Sequence, residues 1–389
     1  MMFVLFLVLM GVKAQALTSE QVLKTAWNDK TYLSYDGMES VDSRNPLRNV
    51  EGFVNTESNS KNSDRETEFG LKFQLKSWPE WRLGEQKKDT DSHLLKDSSL
   101  GWALRNRYTV LLFVELNRQK MKYVDEAIRL ADGYLKAQTL ALQAGRGSSK
   151  SFLSAKTDLY KFQRLKNALE QEKEVLRKKL EVWVVNEKST ELEPINLISV
   201  KKISEFLQGH SSGTDSLTKK LAKEEINQMT QELEIVRGRD HQWIKAFEVS
   251  QSNNDDETKY KLGINIQIPG LGYDTLAKQK LNDLTLKRAL KQRDLEETTD
   301  RLQTLKVQIL NLIDIYGAAK KLPMSNAPGS LDPLANIERK ISMQEEQIEL
   351  LNQQQEITNL YIDYLLESEI LIKHPEPNYL VQTAAKDQP

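Results

Sequence analysis

"FGLKFQL" at Phe69–Leu75 and "LGINIQI" at Leu262–Ile268 are one phrase written twice. Each reads apolar, Gly, apolar, polar, apolar, Gln, apolar, and such alternation predicts a strand with a single apolar face. The second copy begins about half a chain after the first. Each is closed by a proline, Pro79 or Pro269, before a long charged stretch of helical periodicity. Proline there suits the first turn of a helix.

The neighbourhoods of the two phrases match as well. Leu17–Tyr35 predicts a helix opened by the T-x-x-Q signal of Thr18 and Gln21, ended at Asp36-Gly37 and followed by a turn-rich stretch to Pro46. Strands are predicted at 49–58 and 68–77, the second placing Gly70, Lys72, Gln74 and Lys76 opposite its apolar face. A long helix from Glu80 to Ala144 breaks at "AGRGSSKS" (Ala144–Ser151), and a second returns to about Val185. Its seam of Phe162, Leu165, Leu169, Leu176, Leu180 and Trp183 advances in steps of coiled-coil type. After a linker around Pro194 the order repeats. A helix at about Thr214–Arg237 precedes strands at 243–250 and 260–268, and a helix follows from Asp274 to Tyr316. An irregular piece with three prolines, 317–333, precedes a helix from Ile337 to Ile372 with heptad-spaced Leu350, Ile357, Leu360, Tyr364 and Leu371. The chain is an internal duplication. Its expected parts are a first repeat at 17–184, a linker or equatorial segment at 185–203, a second repeat at 204–373 and a disordered tail at 374–389.

Bulk properties narrow the setting. The apolar run Phe3–Met10 followed by Ala14-Gln15-Ala16 reads as a secretory signal peptide, residues 1–16, too short to span a bilayer as a helix. There is no cysteine, so neither a lipid attachment site nor a disulfide framework is available. A net charge of −1 argues against a nucleic-acid partner. With 29% charged and 7% aromatic residues, the composition suits long solvated helices better than one large core. Beyond the leader the longest unbroken apolar stretch is Val110–Val114, which excludes a transmembrane helix.

Four strands with one apolar face each must bury that face somewhere. A bilayer is crossed by ~9–11 residues of tilted strand, the length found here. A sheet in hydrocarbon must close, because unpaired backbone groups there cost several kcal/mol each. Bacterial barrels need at least about eight strands, so one chain cannot close alone and oligomerisation follows.

The order of these motifs resembles the TolC-like outer membrane efflux proteins over nearly the whole chain after the leader. "LTSEQVLKTAW" (Leu17–Trp27) is similar to the family's opening helix, and "FGLKFQLKSWPEWR" to its strand-to-helix junction, which "YKLGINIQIP" repeats. "GRGSSKSFLSAKTDL" resembles its hairpin tip and returning helix. The resemblance implies an α+β membrane protein in which three protomers, each giving four strands, form a twelve-stranded barrel continued by a periplasmic α-barrel of antiparallel helices. It implies a passive exit duct in the outer membrane, served by a periplasmic adaptor and an inner-membrane pump. Phe69, Leu71, Phe73, Leu75, Leu262, Ile264, Ile266 and Ile268 would then face lipid, while Lys72, Gln74, Asn265 and Gln267 line the lumen. The family carries an acid-x-x-acid pair that narrows its pore; Glu349 matches the first acid and Asn352 departs from the second. Family tips dock the adaptor, which points to Gly145, Arg146, Gly147 and Ser148, with a second, glycine-free tip near Ser342–Glu345. Two departures stand out: the interruption at Asp36–Pro46, and the prolines of 317–333 where a long helix is expected. The latter leaves a non-conducting structural scaffold of the same fold as the alternative.

Other motifs imitate known sites. "PGLGYDT" (Pro269–Thr275) lacks the third glycine of a dinucleotide fingerprint, and "GRGSSKS" lacks the second glycine of a phosphate loop. His93, His210, His241 and His374 show no ligand spacing. No catalytic constellation stands out, so neither enzyme activity nor a cofactor is expected.

Overall fold

The computed structural model describes residues 16–35, 45–58, 65–86, 90–184, 191–210, 216–254, 257–266, 275–297, 301–321 and 332–381. The expected leader and the ends of several predicted elements, Gln267 and Ile268 among them, lie outside these residues. The chain opens with α1 (Ser19–Lys24), a 3-10 turn (Thr25–Asn28) and α2 (Lys30–Ser34), then β1 (Leu47–Ser58) and β2 (Arg65–Leu75). Helices α3 (Trp78–Gln86), α4 (Thr90–Gln143), α5 (Ser149–Trp183), α6 (Val200–Gly209) and α7 (Leu217–Asp240) follow. Strands β3 (Ile244–Asn254) and β4 (Glu257–Ile266) precede α8 (Thr275–Glu297), α9 (Arg301–Lys321), α10 (Pro333–Glu367) and α11 (Ile370–Lys373).

The chain divides into two compact units. One comprises 34–96 and 218–299 and holds the four strands; the other comprises 1–33, 97–217 and 300–389 and is helical. The sheet is antiparallel throughout, in the order β1-β2-β3-β4. The two hairpins therefore sit side by side, each with a bulge near the start of its first strand, at Leu47/Asn49 and Ile244/Ala246. A bulge bends a strand and increases its twist.

The helical unit buries its own apolar residues. Val124, Ala127, Ala131 and Tyr134 of α4 pack with Ala155, Phe162 and Leu169 of α5 and Ile341 and Ile348 of α10. Of the seam expected on α5, Phe162, Leu169, Leu176 and Leu180 are buried and Leu165 is partly so. Also buried are Val22 and Leu23 of α1, Leu104, Leu111 and Leu112 of α4, Ile203 and Leu207 of α6, and Tyr361 and Leu365 of α10. Arg107 on α4 is the main polar tie. Its guanidinium donates to Thr25 Oγ1 and Asp29 Oδ2 at 3.0 Å each, and stacks over Trp183 at 4.6 Å.

Two expectations need correction. The opening helix is broken into α1, a 3-10 turn and α2, because Asp29 caps a new turn by accepting from Thr31 N at 3.1 Å. Residues 374–381 are not a disordered tail. Leu380 is fully buried, Leu197 bridges Val381 antiparallel, and Tyr108 donates to Pro377 O at 2.9 Å. Within the expected linker, the described residues pack against α4: Glu115 accepts from Ile195 N at 3.1 Å, and Arg118 donates to Leu192 O at 2.5 Å.

Candidate functional site

The strand register builds two unlike faces. Val50, Phe73, Phe247 and Ile264 form one row across all four strands; Gly52, Leu71, Val249 and Leu262 form the next; Val54, Phe69, Gln251 and Tyr260 form the third. Most of this face is bare: Leu71 is 49% exposed, Leu262 75% and Ile266 60%. So large an apolar patch signals a partner or a membrane. The other face alternates with it and carries Glu51, Lys72, Glu248 and Gly263 in one row, with Asn49, Gln74, Ala246 and Asn265 beside them. Gln74 donates to Glu51 at 2.7 Å, and Lys261 pairs with Glu68 at 3.7 Å.

Side-chain size differs between the faces as much as polarity does. On the polar side Ala246, Ser250 and Ser252 are buried under longer neighbours. A Cβ on Gly70 would lie 2.3 Å from the Phe53 ring, so the aromatic covers the glycine of the repeated phrase. Small residues on one face and large ones on the other let a sheet curl toward the small side, which closure requires.

At the foot of the sheet, α3 meets the end of α7. A Cβ on Gly238 would come 2.6 Å from Pro79, so glycine is what permits that approach. Glu80 accepts from Arg48 at 2.7 Å and from Arg239 at 2.6 Å, one arginine from each repeat. Burial alone would raise the Glu80 pKa, but the two guanidinium groups outweigh it and hold the carboxyl at about 2. Gln242 donates to Leu75 O and Ile244 O at 3.3 and 2.8 Å, holding the ends of β2 and β3 together.

The turn between α4 and α5 is built on glycine. Gly145 has φ 69°, a left-handed conformation that suits a helix C-terminus. Arg146 N and Gly147 N both donate to Ala141 O, at 2.9 and 2.8 Å. A Cβ on Gly147 would sit 2.5 Å from Leu142 N, a backbone atom that cannot yield. Ser148 then caps α5, accepting from Lys150 N at 3.1 Å.

The second hairpin ends differently, and the second tip expected near Ser342–Glu345 is corrected: those residues lie inside α10. Asp332 caps α10 with Pro333 in its first turn, whereas Pro323 and Pro328 lie outside the described residues. Within 317–333, Gly317–Lys321 is the end of α9. Tyr316 and Lys320 line a cavity of about 200 Å³ with Glu346, Gln347 and Leu350, while Lys161 of α5 meets Glu345 at 2.6 Å. The described end of α9 thus lies level with the middle of α10. In the first turns of α10, Leu334 and Ile337 pack against the core shared with α4 and α5, and Tyr134 is bonded to Glu338.

No protein-family model and no curated protein sequence matches the chain. Solved structures do. CusC, described through the conformational changes that accompany its folding and transmembrane channel formation, is similar at a TM-score of 0.53 and 12% identity, over 89% of this chain and 91% of that chain. The outer-membrane channel OprN is similar at a TM-score of 0.51 and 9% identity, over 90% of this chain and 89% of that chain. The fold is TolC-like.

On the TolC-like fold the candidate residues fall into separate places. Phe69, Leu71, Phe73, Leu75, Leu262, Ile264 and Ile266 share the apolar face, and Lys72, Gln74 and Asn265 the polar one. Gly145, Arg146, Gly147 and Ser148 form the turn at the end of the first hairpin. Glu349 and Asn352 are exposed on α10, where the Asn352 amide donates to Glu349 at 3.3 Å. Behind them Lys120 is buried and donates to Gln355 at 2.5 Å; burial lowers its pKa, against the pull of Glu172 and Glu349. Sequence reading missed the Glu80 clamp, the Phe53–Gly70 cover and the Arg107 tie. The glycine shared by the two phrases was the one available signal, and it points to a close approach without saying of what.

Proposed function

We propose that the chain is one protomer of a homotrimeric outer-membrane channel, the exit duct of an efflux or secretion system. The observation that carries this reading is the four-stranded sheet, bare on its apolar face and open at β1 and β4, on a fold shared with outer-membrane channels. Two open edges and four strands suit closure with further copies, and three would give twelve strands. Lipid would cover the Leu71–Leu262 side, and Lys72, Gln74, Asn265 and Gln267 would line the pore. Glu349 and Asn352 would set the charge at its periplasmic narrowing. A periplasmic adaptor would meet the first-hairpin turn, fed by an inner-membrane pump.

The structure changes how docking is tested. Gly147 is fixed by backbone packing, so its replacement would disturb the turn itself; Arg146, whose side chain is exposed, is the residue to change. Export lost in Arg146→Glu with normal trimer level supports docking there, and full export refutes it. The channel reading is tested by conductance of the purified assembly in planar bilayers. Stable unitary conductance supports it. A trimer in the outer membrane that conducts nothing would favour the scaffold reading, for which the short α9 is the motive.

A further inference from the structure

Within the sheet unit, a cavity of about 550 Å³ opens between the first turn of α3 and the last turn of α7. Ser77, Trp78, Pro79, Arg237, Gly238 and His241 line it. Ser77 is 2% exposed, and its hydroxyl has no hydrogen-bond partner among the described residues. Two arginines stand two residues apart at this end of α7 and have unlike fates. Arg239 is neutralised by Glu80 at 2.6 Å, whereas Arg237 has no ion pair among the described residues and points its chemistry at the cavity. The one carboxylate in the lining, Glu234, is occupied by Arg82 at 3.3 Å, and Gln242 is spent on the strand carbonyls. A helix C-terminus alone would explain an arginine here, but not the cavity beside it.

Position supplies the ligand class. The cavity begins two residues past Leu75, the last apolar residue of β2, and ends two residues before Ile244 of β3. At ~3.3 Å per residue this is within about 10 Å of the end of the apolar band, the depth of the headgroup layer. Trp78 and Trp243, 67% and 62% exposed, stand at the same depth, where indole rings favour the membrane interface. We infer that this cavity holds the phosphate headgroup of a membrane phospholipid, with Arg237 as its cation and Trp78 against the glycerol and upper acyl chain. The lipid's tails would lie on the bare face along Ile244 and Phe247. The inference rests on the outer-membrane reading above and adds a ligand to it.

The test is phospholipid retention by the full-length assembly, extracted from membranes in mild detergent and measured by native mass spectrometry and phosphorus assay. Wild-type protein should keep phospholipid through purification. Arg237→Glu should bind about tenfold more weakly, the scale of one charge-assisted hydrogen bond. Arg237→Gln serves if the first variant fails to assemble. Lys245→Glu removes a nearby exposed cation outside the cavity and should change nothing. Equal loss in Lys245→Glu, or unchanged retention in both Arg237 variants, overturns the site. Displacement by inorganic phosphate alone, with no effect of acyl chains, would make it a phosphate site and also overturn the proposal. Absence of wild-type protein from the outer membrane would instead defeat the underlying reading.

Discussion

Leu111 and Leu71 are the same side chain in opposite circumstances: the first is wholly buried in the helical unit, the second is 49% exposed on the sheet. The contrast holds for the units at large. The helices close their seams on one another within a single chain, while the sheet presents row after row of apolar side chains to nothing. A helix satisfies its own backbone and needs only a partner stripe, which the chain supplies. A four-stranded sheet with one apolar face and two open edges needs cover and pairing from outside the chain. The helical unit therefore buries its seams within the chain, and the sheet unit leaves its apolar face and two edges uncovered.

The comparison breaks most easily at Arg107. Its side chain is 3% exposed, so Arg107→Met leaves Asp29 unpaired and should cost about 3–5 kcal/mol. Denaturant unfolding followed by helical circular dichroism checks this, with membrane insertion of the sheet as the second readout. An unaffected midpoint would mean the helical unit does not carry its own stability. Leu71→Arg is the reciprocal experiment. It should impair barrel assembly by ~2–4 kcal/mol at mid-bilayer while leaving the helical signal intact, and Lys72→Glu should alter only ion preference. If both changes leave heat-resistant assembly in membranes untouched, the sheet does not face lipid.

Acid sharpens the comparison at the foot of the sheet. Glu80 is held at about 2 against an ordinary 4.5, so its contribution is complete above pH 4.5 and is lost as pH falls toward 2. With screening discounted, this amounts to about 2 kcal/mol. The adjacent Trp78 and Trp81 report it by fluorescence, and Glu80→Gln should flatten the transition in that window. Identical acid curves for the two proteins would remove the clamp from the account. The smallest effects come from glycines. Gly147→Ala should cost ~1–3 kcal/mol of local stability through the clash of its Cβ with the Leu142 backbone, seen as faster hydrogen exchange around Leu142. Gly133→Ala and Gly317→Ala, with open space at the Cβ, should each stabilise their helix by up to ~1 kcal/mol.

Much of the fold is legible in the residues. Alternation at Phe69–Leu75 gives the strand and its two faces, because a strand's period of two is local. The seam at Phe162, Leu169 and Leu176 gives α5 its buried stripe, because the helical period is local too. The glycines of the first turn mark its place. The second turn could not be read: Pro323, Pro328 and Pro333 say that a helix stops, but not that another has been capped by Asp332 and already extends past the end of α9. The tail was misjudged for a related reason. Leu380 is apolar without periodicity, and the backbone that pairs with it lies far off in sequence, where Ile198 N donates to Leu380 O at 2.8 Å.

The sequence by itself determined the duplication, the strand faces and the helix seams, since each is a repeat of period two, three to four, or half a chain that needs no knowledge of neighbours. Tertiary structure alone decided which charges are neutralised. Glu80 finds Arg48 and Arg239, and Arg107 finds Asp29, across separations over which periodicity carries no information. It also decided that Tyr316 and Lys320 of α9 meet Glu346 and Leu350 of α10 and that Arg237 is left beside an open cavity. Both are properties of how finished elements meet, and that meeting is set by packing between residues distant along the chain.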